Sequence, residues 1–323
     1  MTAVPLLVHR GDEQHGVDRY AREVAAAVAR ARDDARLVLP ADVPDGAAVH
    51  VHFTDRLWGS SPGDAAEAIE RIAARGPVTV TLHDLPQPSD GEASLARRSD
   101  AYRRVVRAAS AVVCNSRHEL ALLRTHVDAE ADATVVPLPC EQPDEAPRPA
   151  TVRREIGVLG FFYPGKGHRE AVVASATLAD PLPVTAIGRA APGHERELAA
   201  LVAEAAEQGV AVTSTGFLDD DALRAAARSA LVPVVAHRHV SASGSLTAWT
   251  AAGRRPIVVR NAYFDEMAAL RPGTMWIVEE SGLAGAIELA ARVPETTWLQ
   301  PGSGVSPTID DVAEAMLALW DRA

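Results

Sequence analysis

Short runs of β-branched and aliphatic residues alternate with longer runs carrying alanine and arginine at helical spacing along all 323 residues. The apolar runs Val4–Val8, Leu37–Leu39, Val49–Phe53, Val78–Leu82, Ala111–Cys114 and Thr134–Val136 predict strands. Stretches such as Arg19–Ala31 and Ala65–Ala74 predict amphipathic helices between them. The pattern pauses over Pro137–Pro149 (PLPCEQPDEAPRP), whose five prolines and three acids read as a stiff, exposed linker. It resumes with strands at Ile156–Phe161, Val184–Ile187, Val210–Thr213, Leu231–Val235, Ile257–Val259 and Met275–Val278, and a last helix at Asp310–Asp321.

Alternation of this kind predicts an α/β chain with parallel sheets and helices on both faces. A single eight-unit barrel would show no central break. A dozen strands in two sets instead predict two doubly wound domains facing a central cleft, at residues 1–145 and 146–305. Residues 306–323 form a C-terminal helix, with a return to the first domain as one option. In such sheets ligands bind beyond the carboxyl ends of the strands, so the loops that follow the strands carry the chemistry.

Composition narrows the classes. Hydrophobic residues make up 47% and aromatics only 4%, so the cores are aliphatic and no stacking platform for single-stranded nucleic acid is expected. A net charge of −11 without a basic run repels a phosphate backbone, so nucleic acid is excluded as a partner. The start, MTAVPLLVHRGDEQ, reads as a first strand rather than a signal peptide. No run reaches the ~20 apolar residues of a spanning helix, and no basic amphipathic helix suggests attachment to anionic lipid. Cys114 and Cys140 form no CxxC pair and fit a reducing compartment, so the expectation is a cytoplasmic protein.

Four strand-end loops stand out. The first, Arg10-Gly11-Asp12-Glu13-Gln14-His15-Gly16-Val17-Asp18, sets a glycine before a helix, where backbone N–H groups and the helix dipole favour an anion; an ordinary turn is the alternative. The strand Val49-His50-Val51-His52-Phe53 puts two histidines on one face, but no third ligand is spaced for a metal, and none is expected. The strand Val78–Leu82 runs into His83-Asp84, a histidine where ligands bind with a carboxylate to orient it. The fourth, Gly160-Phe161-Phe162-Tyr163-Pro164-Gly165-Lys166-Gly167-His168, brackets a lysine with glycines at a helix start. Lys166 is the only lysine; every other Lys+Arg position of the 32 is arginine. A compact ammonium and a planar guanidinium are not equivalent at a tight phosphate site. A further loop, from Ala236 through His237, Arg238 and His239 to Ser241, Ser243, Gly244 and Ser245, also feeds a helix N-terminus. Neither a GxxxxGK[ST] loop nor a GxGxxG fingerprint is present, so neither a Walker site nor a nicotinamide cofactor is indicated.

Taken together, HGVDRYAREV, VHVHF, VTLHDLP, SAVVCNSRHELALL, LGFFYPGKGH, TGFLDDDALRAAARSALVPVVA and AAGRRPIVV resemble, in order and over nearly the full length, GT-B glycosyltransferases of the family 4 (glycogen-synthase-like) type. The resemblance implies two Rossmann-like domains, acceptor-side first and nucleotide-sugar-binding second. It implies metal-independent transfer, with retention, from a nucleoside diphosphate sugar to a hydroxylated acceptor, with no cofactor. Gly16, Gly165 and Lys166 would meet the diphosphate, and His83 the donor sugar. Ser243, Gly244 and Ser245 would hold phosphate from the helix end. The chain departs from the pattern in three places. The family's arginine five residues before the lysine is Phe161 here, and its two glutamates fall at Val240 and Ala248. Arg238 or Arg189 would then replace the missing positive charge, Glu266 one carboxylate, and Asp84 would assist His83. A catalytically silent nucleotide- or partner-binding protein is the alternative; a two-lobed solute-binding protein is disfavoured by the single linker.

Overall fold

The computed structural model describes residues 3–12, 15–143, 148–238 and 240–322. Glu13, Gln14, His239 and linker positions 144–147 lie outside the described residues. The chain divides into two compact units, residues 1–139 with 307–323, and residues 140–306.

The first unit runs β1 (Leu6–Val8), α1 (Gly16–Ala31), β2 (Leu37–Val38), β3 (Val49–Phe53), α2 (Asp55–Trp58), α3 (Pro62–Ala73), β4 (Val78–Leu82), α4 (Glu92–Ala108), β5 (Ala111–Cys114), α5 (Arg117–His126) and β6 (Thr134–Val135). The second runs β7 (Arg153–Leu159), α6 (His168–Ala176), β8 (Val184–Ile187), α7 (Glu195–Glu207), β9 (Val212–Ser214), α8 (Asp220–Ser229), β10 (Ala230–Val235), α9 (Gly244–Ala251), β11 (Ile257–Val259), α10 (Ala262–Leu270), β12 (Trp276–Val278) and α11 (Leu283–Arg292). The last helix, α12 (Ile309–Trp320), belongs to the first unit. There Met316, Leu319 and Trp320 share a buried cluster with Val24 and Val28 of α1.

Each unit holds one six-stranded sheet, ordered β2-β1-β3-β4-β5-β6 and β12-β11-β10-β7-β8-β9, with every pairing parallel. Parallel strands demand cover on both faces, which explains why β3 and β4 are buried throughout. On β3 the apolar side chains Val49, Val51 and Phe53 join the cluster under α3 and α4. The intervening His50 packs against Trp320 of α12, ring centroids 5.3 Å apart.

Strand order reverses between β1 and β3 in the first sheet and between β7 and β10 in the second. These switch points open a crevice beyond the strand ends, because successive connections leave on opposite faces. The loops after β7 and β10 therefore meet, although 79 residues separate Lys166 from Ser245.

Several element ends shift by one to three residues from the sequence pattern, and two of the shifts matter at the loops. Helix α1 starts at Gly16 rather than Arg19, because the His15 ring accepts from the Val17 amide (3.2 Å) and caps it. Strand β7 ends at Leu159, since Gly160 takes φ +103°, a left-handed value that leaves the strand. Residues 160–167 thus form one continuous loop before α6.

Candidate functional site

In the second unit the strand-end loops build a small polar cluster around Lys166. Its Nζ donates to Ser245 Oγ at 3.2 Å and lies 5.5 Å from the centre of the Tyr163 ring. Ser245 Oγ is in turn 3.2 Å from Ser243 Oγ and 3.4 Å from His237 Nε2. Ser243 caps α9 through the Leu246 amide, and its own amide donates to the Tyr263 hydroxyl of α10 (3.0 Å). The Arg238 amide donates to the Gly165 carbonyl (3.0 Å), tying the two loops together.

The floor of this cluster carries no side chain. A Cβ on Gly160 would sit 3.4 Å from Lys166 Nζ, and one on Gly188 would sit 2.3 Å from the Gly160 carbonyl oxygen. The ends of β7 and β8 can lie this close only as glycines.

Lys166 is 8% exposed, and among the described residues no carboxylate pairs with it. Burial alone pushes its pKa down from 10.5 to about 8. His237 and His168 are buried beside it. Both rings are held far below the usual histidine range by burial and then by Lys166, His168 at about 3. Among the described residues neither ring nitrogen of His168, at the first position of α6, has a hydrogen-bond partner. The cluster is thus a buried ammonium with two neutral imidazoles and two hydroxyls, set at the N-termini of α6 and α9. Such an assembly binds an anion, since charge, donors and helix dipoles all favour one.

The two candidate arginines fare differently. Arg238 is paired through Nε with Glu170 and through Nη2 with Glu280 (3.4 Å), so its charge is already met. Arg189 follows Gly188 with its guanidinium 5.4 Å from the Phe161 ring and 5.8 Å from the Phe217 ring. Glu266 is half-buried on α10 and forms no hydrogen bond to Lys166, Ser243 or Ser245. Val240 is buried in an apolar cluster with Leu159 and Ile187, and Ala248 packs against that cluster, so no carboxylate occupies either place.

In the first unit the loops after β1, β3 and β4 converge. Gly16 is exposed at the start of α1 with open space around it. Asp18, fully buried, accepts from the Arg10 amide and pairs with Arg22 (3.3 Å). His83 lies at the end of β4, 6% exposed, its Nε2 3.1 Å from His52 Nδ1. The expectation that Asp84 orients this ring is not met. Its carboxylate accepts from Thr54 Oγ1 (3.3 Å), and Asp84 is the one non-glycine among the described residues with positive φ (+50°).

Helix α4 holds that bend. The Tyr102 hydroxyl donates to the His83 carbonyl (2.6 Å) and the Asp84 carbonyl (3.2 Å). Arg98 also donates to the Asp84 carbonyl, and it pairs with the buried Asp55 through two bonds of 3.0 and 3.1 Å. These residues, with His168, His237 and Gly188, escape sequence reasoning, because their roles arise from strand order and helix docking. Among the described residues no group of three or more His, Cys, Asp or Glu side chains could hold a metal, and no helix is long and apolar enough to cross a membrane.

No family model and no curated protein matches the chain. Solved structures do. HepE from Anabaena, determined with UDP-glucose, superimposes with a TM-score of 0.71 at 14% identity, over 98% of this chain and 99% of that one. The chain has the GT-B fold. Sucrose-phosphate synthase from Thermosynechococcus elongatus gives 0.64 at 16% identity, over 99% and 93%. TarM of S. aureus gives 0.59 at 8% identity, over 85% of this chain and 54% of that one. At such identities the likeness is one of architecture: two Rossmann-like units, each with its switch-point crevice.

Proposed function

We propose that this GT-B chain transfers a sugar from a nucleoside diphosphate sugar to a hydroxylated acceptor, with retention and without a bound metal or other cofactor. The observation that carries the reading is Lys166, a buried ammonium with no carboxylate partner among the described residues, bonded to Ser245 at the switch point of the second sheet. HepE, which shares the fold along nearly its whole length, was determined with UDP-glucose and with UDP and glucose.

In this reading the diphosphate lies over Gly160 and Gly165. It accepts from Lys166, from the Ser243 and Ser245 hydroxyls, and from the amides that open α6 and α9, Gly244 among them. Arg189 supplies the second positive charge, taking the part of the arginine absent at Phe161. As the glycosidic bond breaks, negative charge grows on the leaving phosphate, and a fixed ammonium in a dry site stabilises it more than mobile water would. A phosphate oxygen steers the incoming hydroxyl onto the face the diphosphate leaves, so no protein nucleophile is needed. His83 donates to a hydroxyl of the donor sugar. Both cysteines are free, with thiols pushed up by burial, in keeping with a reducing, cytoplasmic setting.

Calorimetry with UDP and uridine tests the central assignment. Lys166→Met is expected to weaken UDP by about 10- to 100-fold, the worth of a charged hydrogen bond, and to leave uridine unchanged. Equal losses for both ligands would remove Lys166 from the phosphate. The buried apolar Val240 favours the second reading, a silent nucleotide-binding protein. Tight UDP binding without hydrolysis or transfer of any common donor would establish it.

A further inference from the structure

We propose that His52 is a positioning residue that fixes the neutral His83 ring as its Nδ1–H tautomer. The proton is thereby carried on the nitrogen His52 does not hold.

The argument is a count of protons and partners in one buried row. His50 Nδ1 lies 2.8 Å from Thr79 Oγ1, and His50 Nε2 lies 3.1 Å from Thr81 Oγ1. The Thr79 hydroxyl also donates to the Val49 carbonyl (3.3 Å), so it accepts from His50 Nδ1–H, and Thr81 donates to His50 Nε2. Both nitrogens of His50 are thus occupied, and its ring stands edge-on to His52, at 84° and 5.0 Å. Tyr20 likewise meets His52 edge-on, at 79° and 5.1 Å. Among the described residues the side chain of His52 therefore has one polar partner, His83 Nε2, at 3.1 Å, and its other nitrogen, Nε2, is buried with none.

A single proton occupies the His52–His83 bond, and two arrangements compete. If His83 Nε2 donated, the proton of neutral His52 would sit on its own Nε2, an N–H buried without an acceptor. If His52 Nδ1 donates, that nitrogen carries only a lone pair. An orphaned buried donor is the rarer and costlier of the two. His52 therefore donates, His83 Nε2 accepts, and the His83 proton is on Nδ1. Burial keeps all three rings below the usual histidine range, so the neutral forms are the relevant ones near pH 7.

The His83 backbone is held as well, by the Tyr102 hydroxyl on its carbonyl and by its amide on the Phe53 carbonyl (2.8 Å). Ring and main chain are thus fixed independently. The consequence for turnover rests on the reading that His83 donates to the donor sugar; the tautomer itself does not.

Histidine-labelled protein at pH 7.5, observed through two-bond proton–nitrogen correlations, decides the matter, with assignments from His83→Gln and His52→Leu. The expected spectrum shows Nδ1–H on wild-type His83 in at least about tenfold excess, the ratio an orphaned donor implies. A wild-type Nε2–H tautomer overturns the proposal, whether or not any variant folds. His52→Leu is expected to give a tautomer mixture and about tenfold slower UDP-glucose turnover, with UDP affinity within twofold. His52→Asn, whose amide can donate from a similar position, is expected to restore both. A single Nδ1–H tautomer in His52→Leu also overturns it. Unchanged turnover in His83→Gln removes the catalytic reading, while the wild-type spectrum still answers for the tautomer.

Discussion

Lys166→Met is expected to make the unliganded chain more stable, against the usual direction of a substitution at a buried residue. Among the described residues the ammonium has no carboxylate partner, and its only hydrogen bond is to Ser245 Oγ. Burial lowers its pKa from 10.5 to about 8, a difference worth on the order of 3 kcal/mol between the two protonation states. Methionine keeps the length of the stem and removes the charge, so much of that cost disappears. The loss of one hydrogen bond, roughly 1 kcal/mol, offsets part of the gain. The net expectation is about 2 kcal/mol of added stability, or a Tm higher by roughly 4–8 °C.

The pH dependence gives the effect a signature. The folded lysine releases its proton near pH 8 and the unfolded one near 10.5. Between those values the unfolded state binds more protons, so the wild type gains stability as pH rises and its gap from Lys166→Met closes. Urea titrations of both proteins from pH 7 to 10, with and without UDP, measure it. UDP should raise the wild-type midpoint and barely move the variant, since a ligand stabilises only a state that binds it. A variant less stable than the wild type at pH 7.5, still stabilised by UDP, would refute the reasoning.

Three further outcomes are expected. Arg189→Ala should weaken UDP about tenfold and Arg238→Ala less than twofold, because Glu170 and Glu280 already hold the latter; calorimetry showing the reverse order exchanges their roles. Arg254, 1% exposed, donates to the carbonyls of Ala227, Arg228, Ala230, Leu231 and Thr297 and stacks 4.4 Å from Trp298. Arg254→Met should cost about 3 kcal/mol or more in urea unfolding through stranded acceptors, and a loss under 1 kcal/mol contradicts this. His50 and His83, both pushed down from 6.5 to about 3, contribute stability that is complete above pH 6.5 and lost as pH falls toward 3. At pH 5 the loss is about 2 kcal/mol per ring, and denaturation midpoints that stay flat from pH 7 to 5 would refute it.

Much of the architecture was legible because parallel strands announce themselves as short, fully apolar or alternating runs. Val49–Phe53, Val78–Leu82, Ala111–Cys114, Val184–Ile187 and Ile257–Val259 end where the pattern ends. The glycine-bracketed Lys166 was legible for a similar reason, since loop glycines and a lone lysine are local facts. Ends set by a cap or a left-handed glycine were not: His15 starts α1 three residues early, and Gly160 stops β7 two residues short of Phe161.

What the sequence determined by itself is the set of elements and the loops that carry charge, because periodicity, glycine and net charge are properties of neighbouring residues. Only the tertiary structure decided which loops meet. Parallel pairing of β10 with β7 puts Ser245 on Lys166, and docking of α4 holds the carbonyls of His83 and Asp84. It also separated two arginines the sequence leaves equivalent, pairing Arg238 with two glutamates and stacking Arg189 on two phenyl rings. Contacts between residues tens of positions apart depend on strand order, and strand order is settled by how two whole faces of a sheet are covered.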